Sequence, residues 1–535
     1  MIVRAIPGKI QKVNAFLSSD GFRIFCGFFL LYILTMKTSL VNDATPNNLL
    51  PLLLLKYRTL NMGVVVNPHS YLFYPHNGAY YSIFSPGTSL LALPIYLPAL
   101  FFRPSNLVLG LLAKTSASAI SALAIVFIYL TSKKLSNRRI ALITAIVFGV
   151  GTNVFAMSSQ ILMSFTGAIL ALSVGLYFLA SGGGRKNLIL AGLAFSYAGL
   201  CQPSLFLVLL LFGIFVLRRK WKDLPYYALG AAPPAILFAV YNWISYGSPF
   251  KIGEFLSSVY LISGKWDAKL PFSRLWNTPI LKGLAGNLFS PSKGLFVFSP
   301  ILIFAAIGLV ITIKRRGEAL YYYSGVASLI IILVASKWFD WSGSNGYGYR
   351  TTLAALPFLI IMSVPAFDRL KASKVLVVVF AFLLACSVFI QVVGYLAYDG
   401  GSWEWSVKSE GKYWSLTRNQ IAWETAHLHF YVPEFWRNVI PGSVKASITG
   451  YKVKNKSDAA EVTFDVNMSQ IGQVRLSLKR GDQIIASKIV SLPRGASKIT
   501  LPPVSMTGDR TTLIVRTRDE VGTESDIYSK PFVNL

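Results

Sequence analysis

Several apolar runs of roughly 17–25 residues recur along this chain, each long enough to cross about 30 Å of hydrocarbon, and this alone excludes most folds. In lipid, a spanning segment must satisfy its backbone groups internally, as a helix does. The composition agrees: of 535 residues, 54% are hydrophobic and only 14% charged, and the mean hydropathy is +0.54. A soluble globular protein, a disordered chain, a collagen and a coiled coil are excluded together. The expectation is an α-helical polytopic membrane protein.

The chain carries 51 Lys and Arg against 22 Asp and Glu, a net charge of +29. These bases form no single patch or stripe, so nucleic acid is not an expected partner. They punctuate the apolar runs instead: Lys133, Lys134, Arg138 and Arg139; Arg185 and Lys186; Arg218, Arg219, Lys220 and Lys222; Lys314, Arg315 and Arg316; Arg369, Lys371 and Lys374. Short basic connections face the cytoplasm. Arg4, Lys9 and Lys12 precede the first run, which reads as a retained anchor. Cys26, Cys201 and Cys386 all lie in apolar stretches, so no disulfide framework is implied.

With those loops inside, crossings read near 21–40, 107–131, 139–157, 160–181, 187–201, 203–218, 223–246, 297–314, 319–336, 351–366 and 374–398, about eleven in all. The pair 187–201 and 203–218 is short, but both flanks are basic, so the run turns back at Gln202-Pro203. Counting 83–102 as a further crossing would put Lys133 to Arg139 outside. With Pro86, Pro94 and Pro98 inside it, that segment reads as a broken or re-entrant element buried against protein.

Three loops are then expected outside, 41–106, 247–296 and 337–350, within a transmembrane domain of residues 1–398. Residues 399–440, with Trp403, Trp405, Trp414, Trp423 and Trp436, read as an aromatic-rich connector at the membrane surface. Beyond it, 441–535 alternates apolar and polar residues in period two between Gly, Asp and Pro turns, the pattern of an extracytoplasmic β-sandwich of immunoglobulin-like or fibronectin-like type.

Acids are costly near lipid, which makes the few before residue 399 informative. Asp20, Asp223, Glu318 and Asp368 sit among cytoplasmic bases as solvated partners, whereas Asp43, Glu254, Asp267 and Asp340 belong to outer loops. Asp43 follows directly on the first crossing, where a carboxylate is placed to act as general base on a group arriving from water. Its alternative is a turn or helix cap for the ATPNNLL segment. In KWFDWSGSNGYGYR (337–350), aromatic faces and a carboxylate suit a sugar ring, and Arg350 suits a phosphate held bidentately. An interfacial aromatic belt with a snorkelling Arg is the alternative. In NLFSPSKGLFVFSP (287–300), Ser292 and Lys293 stand where a crossing begins and can hold a lipid-linked phosphate. Donor phosphate is thus assigned to Arg350, Lys293 and Ser292, and sugar contact to Asp340, Trp338, Trp341, Tyr81, Glu254 and His76. One donor requires base and cation to sit together, within about 10 Å.

No GxxxxGK[ST], GxGxxG, HExxH or GxSxG occurs, and His69, His76, His427 and His429 make no metal-ligand pattern. No cofactor is implied; a divalent metal is left open.

Taken in order, NDATPNNLLPLLLL with YYSIFSPGTSLLALPIYLPA, then FAMSSQILMS, YNWISYGSPFKIGEF, LFSPSKGLFVFSP and WFDWSGSNGYGYR resemble phrases of the integral-membrane glycosyltransferases with the C-type fold, relatives of protein O-mannosyltransferases and of aminoarabinose and arabinofuranosyl transferases. The resemblance covers roughly residues 20–400. It implies transfer of a sugar from a polyprenyl-phosphate donor to a glycan, lipid or protein acceptor on the outer face, with inversion and with the first-loop acid, Asp43, as catalytic base. The chain departs from the pattern in lacking a second acid close to Asp43 and in having Met163-Ser164-Phe165 where a His often stands. Two other readings use the same residues: a transporter or lipid-handling protein, against which the absence of an inverted repeat and of mid-membrane acids speaks, and a receptor or scaffold acting through the β domain.

Overall fold

A computed structural model describes residues 19–34, 42–66, 70–102, 104–266, 268–398, 403, 404, 407, 411–426 and 428, and strands between 446 and 532. Arg4, Lys9, Lys12, His69, Asp267, Trp405, His427, His429 and Trp436 lie outside the described residues. Among the described residues, five stretches are long and apolar enough to cross a membrane: Val108–Leu135, Trp221–Tyr246, Ala319–Lys337, Arg350–Ala372 and Lys374–Ala397. At the other expected crossings the helices are shorter. Asp20–Ile33, Arg138–Val150, Ser164–Ala180, Arg185–Cys201, Phe206–Arg219 and Ile303–Arg315 hold 13–17 residues each. At 1.5 Å per residue these span about 20–25 Å, so eleven full-length crossings are not reached by helix length among the described residues. Proline is one reason. Pro203 and Pro300 each open a 3-10 turn where the run would otherwise continue as α-helix.

Polar residues set the helix ends. Ser105 accepts a hydrogen bond from the Val108 amide at the start of Asn106–Leu135, whose last turn carries Lys133 and Lys134 beside the negative end of the helix dipole. Asn137 caps Arg138–Val150 through the Arg139 and Ile140 amides. At this same end Asp20 takes two bonds from Arg138, 2.8 and 2.7 Å, and one from the Tyr129 hydroxyl, 2.6 Å. Helices Arg185–Cys201 and Leu224–Tyr246 approach so closely that a Cβ on Gly230 would stand 1.8 Å from the Ile189 carbonyl oxygen, and one on Gly192 2.0 Å from that of Tyr227. Only glycine permits that contact.

The proline-containing stretch 83–102 forms helix Gly87–Tyr96 and a 3-10 turn, Leu97–Leu100. Thr88, Ser89, Ala92, Tyr96 and Ala99 are fully buried in protein, and a Cβ on Gly87 would meet the Cys201 amide at 2.7 Å. The first half of the segment is thus enclosed by protein, whereas Leu97, Leu100, Phe101 and Phe102 at its far end are exposed.

At the end of the bundle opposite Lys133 and Arg138 lie the elements that carry the candidate site. Hairpin Phe73–His76/Ala79–Ser82 turns through Asn77 and Gly78, both left-handed (φ 47° and 73°), as a two-residue hairpin loop requires. Helices Gly253–Ser263 and Ile280–Phe289 and the loops at 290–294 and 338–350 complete that end. In the C-terminal region the period-two segments form two antiparallel sheets: one of three strands, Ala446–Lys456, Ala459–Met468 and Gly495–Thr500, and one of four, in the order Gln483–Leu492, Gly472–Arg480, Thr511–Arg518, Glu524–Phe532.

Candidate active site

Asp43 sits in a single 3-10 turn, Asn42–Ala44, leading into helix Thr45–Leu52. The capping role open to it in the sequence is not realised, since Ala44 is the N-cap residue and no side chain bonds the first amides. Its carboxylate points elsewhere: Oδ2 is 2.8 Å from Arg350 Nη2, and Oδ1 accepts a 2.5 Å hydrogen bond from the Tyr71 hydroxyl. Both partners remain reachable, with Asp43 14% and Arg350 18% exposed at the side chain. Burial, and then the Asp43 carboxylate, hold the Tyr71 phenol far above its ordinary pKa, so Tyr71 is a permanent donor to Asp43. Each carboxylate oxygen keeps a further lone pair for a proton.

Arg350 is placed by its own loop. Its Nη1 donates to the Asn345 carbonyl, 2.7 Å, and a Cβ on Gly346 would stand 2.8 Å from Arg350 Cδ, so the loop backbone wraps the side chain. Gly348, at φ +61°, makes the left-handed step that closes this wrap. Tyr349 fixes the far side through Ser299, 2.7 Å, and the Asn153 amide, 3.1 Å, while Asn153 Nδ2 donates to the Tyr347 carbonyl, 2.8 Å.

Lys293 is not beside this pair as an open cation. Its ammonium is 1% exposed and donates to the Ser344 and Gly346 carbonyls, 2.8 and 2.6 Å, with Glu404 Oε1 at 3.0 Å. Glu404 is also paired with Lys412, 2.5 Å. Burial lowers the Lys293 pKa, and Glu404 opposes that. Ser292 is buried as well, accepting from the Gln420 amide and facing the Lys412 carbonyl. Asp340 accepts from Ser342 and Ser344, 2.8 and 2.7 Å, and so braces its own turn. Trp341 is buried over Gly286 and against Tyr413, 5.6 Å between ring centres. Trp338, half-buried, packs on Phe255 and Trp276 at 5.6 and 5.2 Å. His76 and Tyr81 share the hairpin with rings 6.5 Å apart, His76 lying over Gly247. No hydrogen bond or ion pair ties either to Asp43 among the described residues.

Glu254 lies one helical turn from Ser257, whose hydroxyl donates to the Tyr71 carbonyl, 2.9 Å. It has no hydrogen bond or ion pair to its carboxylate among the described residues, and burial pushes that carboxyl up to about 7. The folded state therefore holds a proton that the unfolded chain, titrating near about 4.3, releases earlier. Stability falls as pH rises between those values and stays lowered above about 7. Glu254→Gln is expected to melt higher than the parent at pH 8 and equally at pH 4, read as thermal unfolding across that range; a variant no more stable at pH 8 than the parent contradicts the buried carboxyl.

Four contributors escaped the sequence reading. Tyr71 carries no signal beyond being an outer-loop aromatic. Lys114 did: it is the one base inside the 107–131 run, and it is 2% exposed, bonding the Ser159 carbonyl, 3.1 Å, and Gln160 Oε1. Glu404 and Gln420 lie in the connector, which the sequence suggested was an aromatic collar. Among the described residues, no group of three or more His, Cys, Asp or Glu is arranged to hold a metal.

The chain matches no family model and no curated protein. Its structure is similar to that of ArnT from Cupriavidus metallidurans bound to undecaprenyl phosphate, at 13% identity over 77% of this chain and 69% of that one, with a TM-score of 0.42. It is also similar to the Archaeoglobus fulgidus oligosaccharyltransferase in the apo form, at 13% identity over 72% of this chain, with a TM-score of 0.44. The same archaeal enzyme tethered to an acceptor peptide matches at 14% identity, with a TM-score of 0.42. This chain spans 57% and 55% of those two archaeal chains. With TM-scores below 0.5, these likenesses carry no argument about activity.

Proposed function

We propose that this chain is a membrane glycosyltransferase that moves a sugar from a polyprenyl-phosphate donor to a glycan, lipid or protein acceptor, inverting the anomeric carbon, at the membrane face bearing loops 41–106, 247–296 and 337–350. The observation that carries the reading is the Asp43–Arg350 pair: a base and a phosphate-binding cation, drawn from distant segments, 2.8 Å apart and both reachable. Polyprenyl phosphate as donor is the class implied by the family that the sequence phrases resemble.

In this reading Asp43 takes the proton of the acceptor hydroxyl as the acceptor oxygen bonds to the anomeric carbon. The bond from that carbon to the phosphate oxygen breaks on the opposite face, and its electron pair leaves with polyprenyl phosphate. The departing phosphate gains a negative charge as Asp43 loses one. Arg350, already on the donor phosphate beside Asp43, stabilises that growing charge through the paired bonds its planar fork makes. Tyr71 keeps the carboxylate oriented throughout. Lys293 and Ser292, being buried and engaged, support the loop and are not assigned to the phosphate. We further read the two C-terminal sheets as a sandwich outside the chemistry, in support of which the cross-strand partners Phe464 and Ile499 are fully buried.

Arg350→Lys tests the phosphate assignment, because an ammonium cannot reproduce the bidentate geometry. Affinity for undecaprenyl phosphate, measured on purified protein, is expected to fall by about fivefold to tenfold. Equal affinity of the two proteins would return Arg350 to an interfacial role.

A further inference from the structure

The connector is fastened to the loop that carries Arg350. Gln420, first residue of helix Gln420–Ala426 and fully buried, reaches across with its side-chain amide: Oε1 accepts the Gly348 N–H, 3.0 Å, and Nε2 donates to the Gly346 carbonyl, 3.2 Å. The amide thus mimics a neighbouring strand, reading one acceptor and one donor of a three-residue stretch. That stretch and the preceding residue wrap Arg350, through Gly346 against Cδ and the Asn345 carbonyl against Nη1. The fastening continues along the connector. The Gln420 backbone N–H donates to the Ser292 hydroxyl, 3.3 Å; Ser290 donates to the Tyr413 carbonyl, 2.5 Å; and Glu404 stands between Lys293 and Lys412. Lys293 shares the Gly346 carbonyl with Gln420, so connector and loop hold one backbone oxygen in common.

A glycine-rich loop has little stiffness of its own, because glycine has the largest backbone freedom to lose. Gly343, Gly346 and Gly348 all precede Arg350, and two of them are left-handed. Something outside the loop must therefore hold it. We propose that Gln420 is a positioning residue that sets the Arg350 guanidinium against Asp43, which makes Glu404 and segment 411–426 part of the donor site rather than a linker to the C-terminal sheets. This rests on the reading of Arg350 as the donor-phosphate cation.

The test is a double-mutant cycle on full-length purified protein, with undecaprenyl phosphate as probe. Gln420→Ala is expected to weaken binding about tenfold, as loss of one or two buried hydrogen bonds does. In an Arg350→Ala background the same change is expected to add nothing, because its effect passes through Arg350. Gln420→Glu, which keeps an acceptor for Gly348 and loses the donor to Gly346, should fall between, and it stands in should the alanine variant not fold. Unchanged binding in Gln420→Ala, or a loss that adds in full to that of Arg350→Ala, overturns the positioning role. If the unaltered protein binds no polyprenyl phosphate, the functional reading fails, and the positioning claim is then decided by the structure of the Gln420 variant. Arg350 still 2.8 Å from Asp43 there refutes it, and a broken pair upholds it.

Discussion

Replacing Asp43 by asparagine is expected to lower turnover by about 10²-fold or more, the usual loss when a general base is removed. The substitution is close to isosteric. An amide oxygen can still accept from Arg350, and the Tyr71 hydroxyl can rotate to accept from the new NH₂, so the local geometry survives. What disappears is the ability to take a proton. Donor binding should consequently stay within a few-fold of the parent, separating chemistry from recognition. Release of undecaprenyl phosphate from an undecaprenyl-phosphate sugar in the presence of acceptor-containing membranes measures the turnover. Unchanged release would remove Asp43 from the mechanism.

The second large effect concerns stability. Glu404→Ala leaves the ammonium of Lys293, 1% exposed, without its counter-charge, and is expected to cost about 3–5 kcal/mol, as breaking one side of a buried ion pair does. The pH dependence identifies the cause. With Glu404 gone, only the smaller pull of Asp340 offsets the burial that already lowers the Lys293 pKa, so the folded variant sheds a proton that the unfolded chain keeps. Its stability should then rise as pH is raised from 7 towards 10, and the deficit against the parent should shrink. Denaturant or thermal unfolding at several pH values gives both quantities. A deficit below about 1 kcal/mol, the size of an exposed pair, contradicts the buried cluster.

The limits of the sequence reading follow from range. Helical runs declare themselves locally, through hydropathy over some twenty residues, and Asp43 stood out because acids near lipid are scarce. Arg350 was legible for a related reason, as a base at the outer end of a run with aromatics around it. Lys293 looked equivalent. The difference lies in Glu404, distant in sequence, which takes up the Lys293 charge while leaving Arg350 to Asp43. No local pattern distinguishes two such cations. Asp340 stands in an aromatic loop that suits a sugar, and its carboxylate also accepts from Ser342 and Ser344, two and four residues on, a local turn that the aromatic pattern does not announce. Trp403, Trp414 and Trp423 suggested a surface collar by composition, while the residues that anchor the segment, Glu404 and Gln420, bear no compositional mark.

The central claim is that Asp43 and Arg350 face one lipid-linked donor. A structure of the protein determined with undecaprenyl phosphate bound tests it most directly. The account predicts the phosphate within hydrogen-bonding distance of the Arg350 guanidinium, on the side open to Asp43. A phosphate resolved against other residues, with the Asp43–Arg350 pair untouched, would contradict it.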